Sequence, residues 1–400
     1  MNSDIPFSFD DQHFQNNPTK VMELLRDKCP IHHTSEPSAH FTLSRGEDVV
    51  AALRDEKMWS SRFGPGLAYS EPGTGVLVSS DPPEHTKERV TISRIFKASV
   101  IEKMETEIVT LTEKLINNFE ENMSGDIIKD YAAPIPLTVM CWLLGTPTTD
   151  IRLFRSWVLP MAEAVAYSGG REATSEVKSA YQDFFEYFSN HIEQRKDHLS
   201  SGADVPEDLL TRLLTVTNDG KELSTKKILG FCQFLLVAGS ETTTLMIGNV
   251  LHRLMENPTQ FKLLKSNLNL IPNAIEESLR FDAPVHGLFR TNTEETTIHG
   301  VTVPADSKVC MMFGSANRDP NLWRDPDVFD INRDPRSLRN HTSFGVGSHY
   351  CLGAPLSRLE GKVALTTIIR RLPKIRANGP PTQTRAGVLK GFSTLPVRWD

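Results

Sequence analysis

Apolar residues recur at spacings of three and four along most of this chain, which predicts helices with one buried stripe each. The segments "PTKVMELLRDK" (18–28), "SVIEKMETEIVTLTEKLINNFEENM" (99–123) and "ATSEVKSAYQDFFEYFSNHIEQRK" (173–196) carry the pattern. A longer one, "LSTKKILGFCQFLLVAGSETTTLMIGNVLHRLME" (223–256), continues without proline, and Ser224 stands where an N-cap is needed. Strand-like pieces are short: "HFTLS" (40–44), "TTIHGVTVPADSKVCMMF" (296–313) and "GFSTLPVRW" (391–399). Inside the second, "HG" and "AD" suit hairpin turns. Glycine and proline gather at 64–75, near 202–206 and at 379–381, but no Ser- or Gly-rich linker divides the chain and no repeat is visible. The pattern predicts a mainly α fold with small β-sheets, one unit over residues 1–400. Its helix-rich body is joined by a smaller β-rich part near the N-terminus and after residue 284.

Composition narrows the setting. The 400 residues are 39% hydrophobic, too apolar for a disordered chain, and 44 basic against 50 acidic residues give a net charge of −6. That balance argues against a nucleic-acid binder. The opening "MNSDIPFSFDDQHFQNNP" has no basic segment followed by an apolar one. The most apolar run, "ILGFCQFLLVAG" (228–239), is short of a membrane span. A cytoplasmic protein with no membrane contact is expected. The five cysteines are scattered without a CxxC pair, which disfavours a disulfide framework and a structural zinc site. Cys29, Cys141, Cys232 and Cys310 have apolar neighbours and read as core residues.

Cys351 is different. It lies in "HTSFGVGSHYCLGAPLSRLEG" (341–361), with glycines before and after it and an apolar-periodic helix beginning at once. Gly345 and Gly347 permit a tight turn, and Pro355 fits a first helical turn. The sulfur therefore stands near a helix N-terminus, where free amides favour a thiolate. A metal-ligating sulfur and a nucleophile paired with His349 both fit that description, although no distant partner residues support the nucleophile. In the long helix, "AGSETTT" (238–244) sets an acid and three threonines in apolar surroundings. Such groups cost free energy in a core unless they are paired or used; otherwise they mark a helix face that emerges mid-length. "IEESLRF" (275–281) contains Glu277 and Arg280 at i, i+3, a spacing that Glu23 and Arg26 also show.

The pattern Phe344-x-x-Gly347-x-x-x-Cys351-x-Gly353 closely resembles the haem-binding loop of the cytochrome P450 family, whose cysteine is the axial thiolate of haem iron. The resemblance covers roughly residue 40 to the C-terminus, with four motifs in the family's order. It implies the cytochrome P450 fold and haem b (iron protoporphyrin IX) with Cys351 as metal ligand. Phe344, Gly353 and Ala238 would border the haem, and His85, Arg89, Arg290 and His349 would clamp its propionates. Gly239 would leave room for dioxygen, with Thr242 and Glu241 delivering protons. Glu277, Arg280 and Arg333 would form a structural triad. Val346, where an aromatic or histidine is common, and Val90, where an arginine is frequent, are mild departures.

The implied activity is a monooxygenase that hydroxylates a medium-sized hydrophobic molecule with O2. No GxGxxG motif is present, so electrons would come from a separate ferredoxin and ferredoxin reductase. Lys87, Arg89, Arg94, Lys97, Arg336, Arg339 and Arg358 would attract that acidic partner, and a monomer is expected. A peroxide-driven peroxygenase and a non-catalytic haem sensor on the same fold are the alternatives, and the acid–alcohol pair argues against both. By the same resemblance the substrate pocket would involve Phe63, Leu67, Tyr69, Val76, Leu77, the helix near Ala238, Val285–Leu288 and Phe392–Thr394. Arg62 or His286 would hold a polar end. The segments 64–75 and 166–176 would be mobile enough to admit a ligand.

Overall fold

The structure is a computed structural model. It describes residues 5–400 apart from 6, 10, 37, 167–172, 219, 220, 385 and 386. Most of the expected segment 166–176 thus lies outside the described residues.

The helix Thr225–Glu256 is the axis of the body. Against it pack Pro134–Leu144, Ile151–Ala166, Ser175–Ser200, Ile271–Phe281 and Ala354–Arg371. The Ser224 hydroxyl accepts the Lys227 N–H at 3.3 Å, the cap the sequence called for. From Thr243 to Leu251 every residue is buried, because neighbours cover this stretch on all sides. By length and composition this helix could cross a membrane, yet 67% of its most apolar window is buried inside the protein. It is a core helix. Asn249 fixes it to two later segments, donating to the carbonyls of Asp282 (3.2 Å) and Lys390 (3.1 Å).

An aromatic cluster joins Ile151–Ala166 to Ser175–Ser200: Phe154 and Phe188 have ring centroids 5.9 Å apart, and Trp157 meets the Phe184 ring edge-on at 6.0 Å. Burying each ring contributes roughly 1.5–3 kcal/mol, enough to fix the two helices against each other. The stretch expected to be one helix over 99–123 is broken into Ala98–Ile101, a tight turn at Glu102–Met104, Glu105–Asn117 and a second turn at Glu120–Asn122. The second turn falls where Phe119 turns inward to meet the Trp399 ring at 5.5 Å. Burial of one large ring overrides local propensity there.

The largest sheet has five strands in the order Ile31–Thr34, His40–Leu43, Lys308–Met311, Leu288–Asn292, Trp59–Ser60. Only the pairing of Lys308–Met311 with His40–Leu43 is parallel. The hairpin Thr296–Ile298/Val301–Val303 turns at His299 and Gly300, both at positive φ, as the "HG" pair suggested. Register matters for the site: Val309 stands opposite Arg290, and period-two alternation gives Leu288 and Arg290 the same face. That face looks toward the cysteine loop. The other side helps close a second core of Phe7, Phe9, Phe14, Met22 and Cys310.

Candidate functional site

The cysteine loop is built by backbone geometry. Gly345 and Gly347 both have positive φ (70° and 80°), and the Gly345 N–H closes a turn on the Thr342 carbonyl at 2.7 Å. A Cβ at Gly347 would stand 3.0 Å from the Leu53 carbonyl oxygen, so the position excludes side chains twice over. The Cys351 N–H returns to the Phe344 carbonyl at 2.7 Å, and the helix Ala354–Arg371 starts directly after Gly353. Burial pushes the Cys351 thiol up. Hydrogen bonds from the Gly353 and Ala354 amides oppose this, as do the charges of Arg89 and Arg358. Cys351 is half-buried on its loop, and burial outweighs the amides and arginines that act in the anion's favour.

In front of the loop lies a cavity of about 1590 Å³, its mouth included, between the loop and the long helix. Cys351, Phe344, Gly353, Ala238, Gly239, Thr242, His85, Arg89, Arg290 and His349 all line it, so one cavity gathers ten of the residues singled out in the sequence. His85 and His349 stack with centroids 4.0 Å apart. His349 is held down to about 2 by burial first and then by the charges of Arg290, His85 and Arg89, so it is neutral here. Arg290 is 5% exposed, and among the described residues its one hydrogen bond is to the Trp59 carbonyl at 3.2 Å. The nearby Asp81 is already taken by the Ser61 amide at 2.7 Å and the Ser60 hydroxyl. A buried guanidinium with one neutral partner calls for an anion from within the cavity. Arg89 donates to the Tyr350 carbonyl at 2.8 Å.

These features fit haem. A half-buried cysteine lines a largely apolar cavity, and two arginines and two histidines along the wall suit a pair of carboxylates. A Cβ at Gly353 would touch nothing nearer than Cys351 Sγ at 3.9 Å, so the wall beside the sulfur is open. The space that Gly239 leaves is used by Met140, whose Sδ lies 2.8 Å from where a Cβ would stand.

The polar notch of the long helix splits between two cavities. Thr242 lines the large one, and its hydroxyl donates back to the Ala238 carbonyl at 2.8 Å. Glu241 does not line it. Its side chain enters a small cavity on the flank of the helix, with Arg155, Ser240, Thr244, Thr384 and Ser393. One residue is a 100° step, so neighbours in sequence reach different cavities. Desolvation pushes the Glu241 carboxyl up to about 7; Arg155 pulls it down and Glu163 pushes it further up. Two groups expected to act together therefore face different cavities from one helix turn.

Several pocket expectations need correction. Leu77, Ala238, Val285 and Leu288 line the large cavity, but Phe63, Leu67, Tyr69 and Val76 do not. Leu67 is buried in the second core. The strand beginning at Phe392 runs past the small cavity, which Phe392 and Ser393 line. Neither proposed polar anchor reaches the large cavity. Arg62 is exposed and stacks on the Phe63 ring at 4.7 Å, while His286 is buried against Phe14, with centroids 5.6 Å apart. The start of the 64–75 segment is tied down, not loose: Lys308 Nζ donates to the Phe63 and Gly64 carbonyls, each at 2.8 Å, and Phe289 N–H to the Pro65 carbonyl at 2.8 Å.

Glu277, Arg280 and Arg333 do meet. Arg280 donates Nε to Glu277 Oε2 and Nη2 to Oε1, both at 2.8 Å, and Arg333 Nε reaches Oε1 at 3.0 Å. Sequence reasoning missed Glu360, which lines the large cavity, is buried, and has one carboxylate oxygen without a partner. Desolvation raises it well above the usual carboxylate range, so it holds its proton. Thr243 and Ser357, bonded to each other at 3.1 Å, share the wall with it. An acid amid the apolar "LEGKVALTTII" was the available signal. Of the charges assigned to a docking patch, Lys87, Arg94, Lys97, Arg336 and Arg339 are exposed, but Arg358 is tied to Glu276.

Comparison with known proteins agrees with this geometry. The sequence profile of the family described as Cytochrome P450 matches residues 170–391. Cytochrome P450 109 of Bacillus spizizenii is 32% identical over 387 residues, spanning 95% of this chain and 91% of that one. The crystal structure of CYP109E1 from Bacillus megaterium in complex with testosterone superposes with a TM-score of 0.87 at 29% identity, covering 98% of this chain and 100% of that one. P450BioI in complex with hexadec-9Z-enoic acid ligated acyl carrier protein gives a TM-score of 0.88 at 27% identity, with 97% and 100% covered.

Proposed function

Since the chain belongs to the cytochrome P450 family of haem-iron oxygenases, we propose that it hydroxylates a neutral, medium-sized hydrophobic molecule with O2, using haem b and electrons from a ferredoxin and its reductase. The observation that carries this reading is the single cavity whose wall brings together the Cys351 sulfur, the Arg290 guanidinium with its one neutral partner, the Thr242 hydroxyl and a largely apolar lining.

Cys351 holds the iron through its sulfur, and Arg290, Arg89, His85 and His349 hold the propionates. When bound, the haem supplies the activation of dioxygen and the oxidation of a substrate C–H bond. This chain's residues supply protons and orientation. The Thr242 hydroxyl, returned to the Ala238 carbonyl, can swing to donate into the cavity. Glu241, held near 7, exchanges a proton with the small cavity at neutral pH and passes it around the helix turn. Glu360, on the helix that follows the cysteine loop, keeps its own proton.

The charged and imidazole groups on the described cavity wall are His85, Arg89, Arg290, His349 and Glu360. The first four go to the haem, which leaves Leu77, Val78, Phe234, Leu235, Val285 and Leu288 to meet the substrate. Such a surface binds an uncharged apolar body and rejects a carboxylate. A steroid, as in the testosterone complex, or a fatty acyl chain carried on another protein, as in the P450BioI complex, meets that requirement. Lys87, Arg94, Lys97, Arg336 and Arg339 are the exposed cations that would receive the ferredoxin. The protein acts as a cytoplasmic monomer in this reading.

Purified protein loaded with hemin should give a thiolate-type reduced carbonyl spectrum, and Cys351→Ser should abolish it. A panel of neutral and anionic compounds should then be titrated for the spin-state change that follows loss of iron-bound water. Neutral compounds should produce it and carboxylates of equal size should not. Product formation that depends on NADPH, reductase and ferredoxin completes the test. Efficient turnover with peroxide alone would replace the monooxygenase reading with the peroxygenase one.

A further inference from the structure

Behind the cysteine loop, on the side away from the cavity, lies an ion pair that none of the assigned roles uses. Arg358 projects from the helix Ala354–Arg371 and donates Nε to Glu276 Oε1 at 2.7 Å and Nη2 to Oε2 at 2.8 Å. Its Nη1 donates to the Tyr350 hydroxyl at 3.1 Å, and its guanidinium lies 4.5 Å over the Phe344 ring. Tyr350 immediately precedes the sulfur-bearing residue, and Phe344 accepts its N–H. Arg358 therefore touches both limbs of the loop. Glu276, on the helix Ile271–Phe281, also bonds His341 Nε2 at 3.1 Å. The pair is largely sheltered, with Arg358 32% and Glu276 15% exposed. Burial alone would raise Glu276, but the hydrogen bonds from Arg358 and His341 hold it down to about 2.

A bidentate, stacked arginine is a fixed charge rather than a flexible one. We propose that the Arg358–Glu276 pair sets how much negative charge the Cys351 sulfur donates to the metal, and hence the potential at which the haem-loaded protein accepts its first electron. Both are positioning residues, and the inference rests on the haem-thiolate reading. The cation draws electron density toward itself and eases one-electron reduction of the ferric site. The carboxylate, on the far side of the cation, tempers it. This also explains why Arg358 is a poor docking charge: its field is spent inward.

The two partners therefore have opposite signs. Arg358→Met removes the cation and leaves the anion, so the reduction potential falls. Glu276→Gln leaves the cation uncompensated while its stack on Phe344 and its bond to Tyr350 remain, so the potential rises. A merely structural clamp, loosened from either side, would move both variants in the same direction. The experiment is an optical potentiometric titration of haem-loaded, substrate-free wild type and both variants, with the reduced carbonyl spectrum of each recorded. Shifts of opposite sign, with thiolate-type spectra retained, support the proposal. Shifts of the same sign, or none, overturn it. Should Arg358→Met fail to fold, Arg358→Lys keeps the charge but not the fork; a potential near wild type then supports the charge argument, and a large shift overturns it. A wild-type spectrum without the thiolate signature would overturn the function reading itself.

Discussion

Replacing Arg280 by lysine should damage this protein far more than a conservative substitution normally does. Arg280 is fully buried, and three nitrogens pointing in different directions make five hydrogen bonds. Two go to Glu277, itself fully buried, and three to the carbonyls of Asn317 (3.0 Å), Pro326 (2.8 Å) and Val328 (3.2 Å). A lysine brings one nitrogen and can satisfy the carboxylate and at most one carbonyl. The Val328 carbonyl keeps its bond from Arg333 Nη2 at 2.9 Å, so one buried carbonyl is left unpaired at roughly 1–3 kcal/mol, and one charge-assisted bond is lost at roughly 1.5–3 kcal/mol. Roughly 2.5–6 kcal/mol should disappear from a total that is typically about 5–15 kcal/mol.

The loss reaches the site, because Asn317 is the next link. Its Oδ1 accepts the Thr342 N–H at 2.7 Å and its Nδ2 donates to the Ser343 hydroxyl at 2.8 Å, one residue before Phe344. Urea unfolding of haem-loaded Arg280→Lys, followed by tryptophan fluorescence and by the haem band, should show both transitions shifted together. Arg333→Gln should cost about 1–2 kcal/mol, since Arg333 is 12% exposed and water can replace part of what it gives. An Arg280→Lys protein within about 1 kcal/mol of wild type, or an Arg333→Gln protein less stable than it, would refute the reasoning.

Three other outcomes are expected. Gly347→Ala combines a left-handed backbone cost of about 1–2 kcal/mol with a contact to a backbone oxygen that cannot retreat, whereas Gly345→Ala meets nothing nearer than 3.6 Å; the reduced carbonyl spectrum should show a smaller thiolate-ligated fraction for the first. With Glu241 near 7, its donor form is lost as pH rises through that value, so product formed per NADPH should decline across it; Glu241→Gln should lower the product rate at least about tenfold and flatten the profile. His40 and His286 are pushed down to about 4 and about 3 by burial, so the unfolded chain binds more protons below the ordinary histidine range and stability falls with pH. Each should cost about 2 kcal/mol between pH 7 and pH 5, and urea midpoints of His40→Phe should therefore shift less on acidification than those of wild type.

How far the sequence went depended on the range of the interaction. The cysteine loop was legible because its requirements are local: two residues must take positive φ, and the helix must start just past the sulfur. Arg290 was legible as a residue type. Its aim into the cavity needed the register with Val309, which a strand 19 positions away in sequence provides. The pairing of Glu277 with Arg280 was local, but its distinction from the identical Glu23/Arg26 spacing lies in three carbonyls from residues 317–328. Arg358 read as a surface cation because its neutralising partner, Glu276, is 82 positions earlier in the chain. The segment 64–75 read as mobile because nothing local announces that Lys308 will hold its start, at the Phe63 and Gly64 carbonyls, to the sheet.

The separation of Glu241 from Thr242 bears most on mechanism. A relay through two adjacent residues sounds direct in sequence, yet the helix turns their side chains toward different cavities, and a carboxylate beside Thr242 would stand against the apolar surface meant for substrate. Placing it on the flank keeps that surface neutral while giving the carboxyl an exchange route past Arg155 and the hydroxyls of Ser240, Thr384 and Ser393. The desolvation that raises Glu241 is then useful: an exposed carboxyl would be ionised at pH 7 and have no proton to pass on. Glu360 solves the same problem differently, by full burial beside the Thr243–Ser357 pair, where its proton cannot be exchanged directly with solvent. One acid can therefore be recharged during turnover, whereas the other keeps its proton throughout. The two variants should differ accordingly: Glu241→Gln should change the pH dependence of product formation, whereas Glu360→Gln, which keeps a donor in place, should leave that dependence intact.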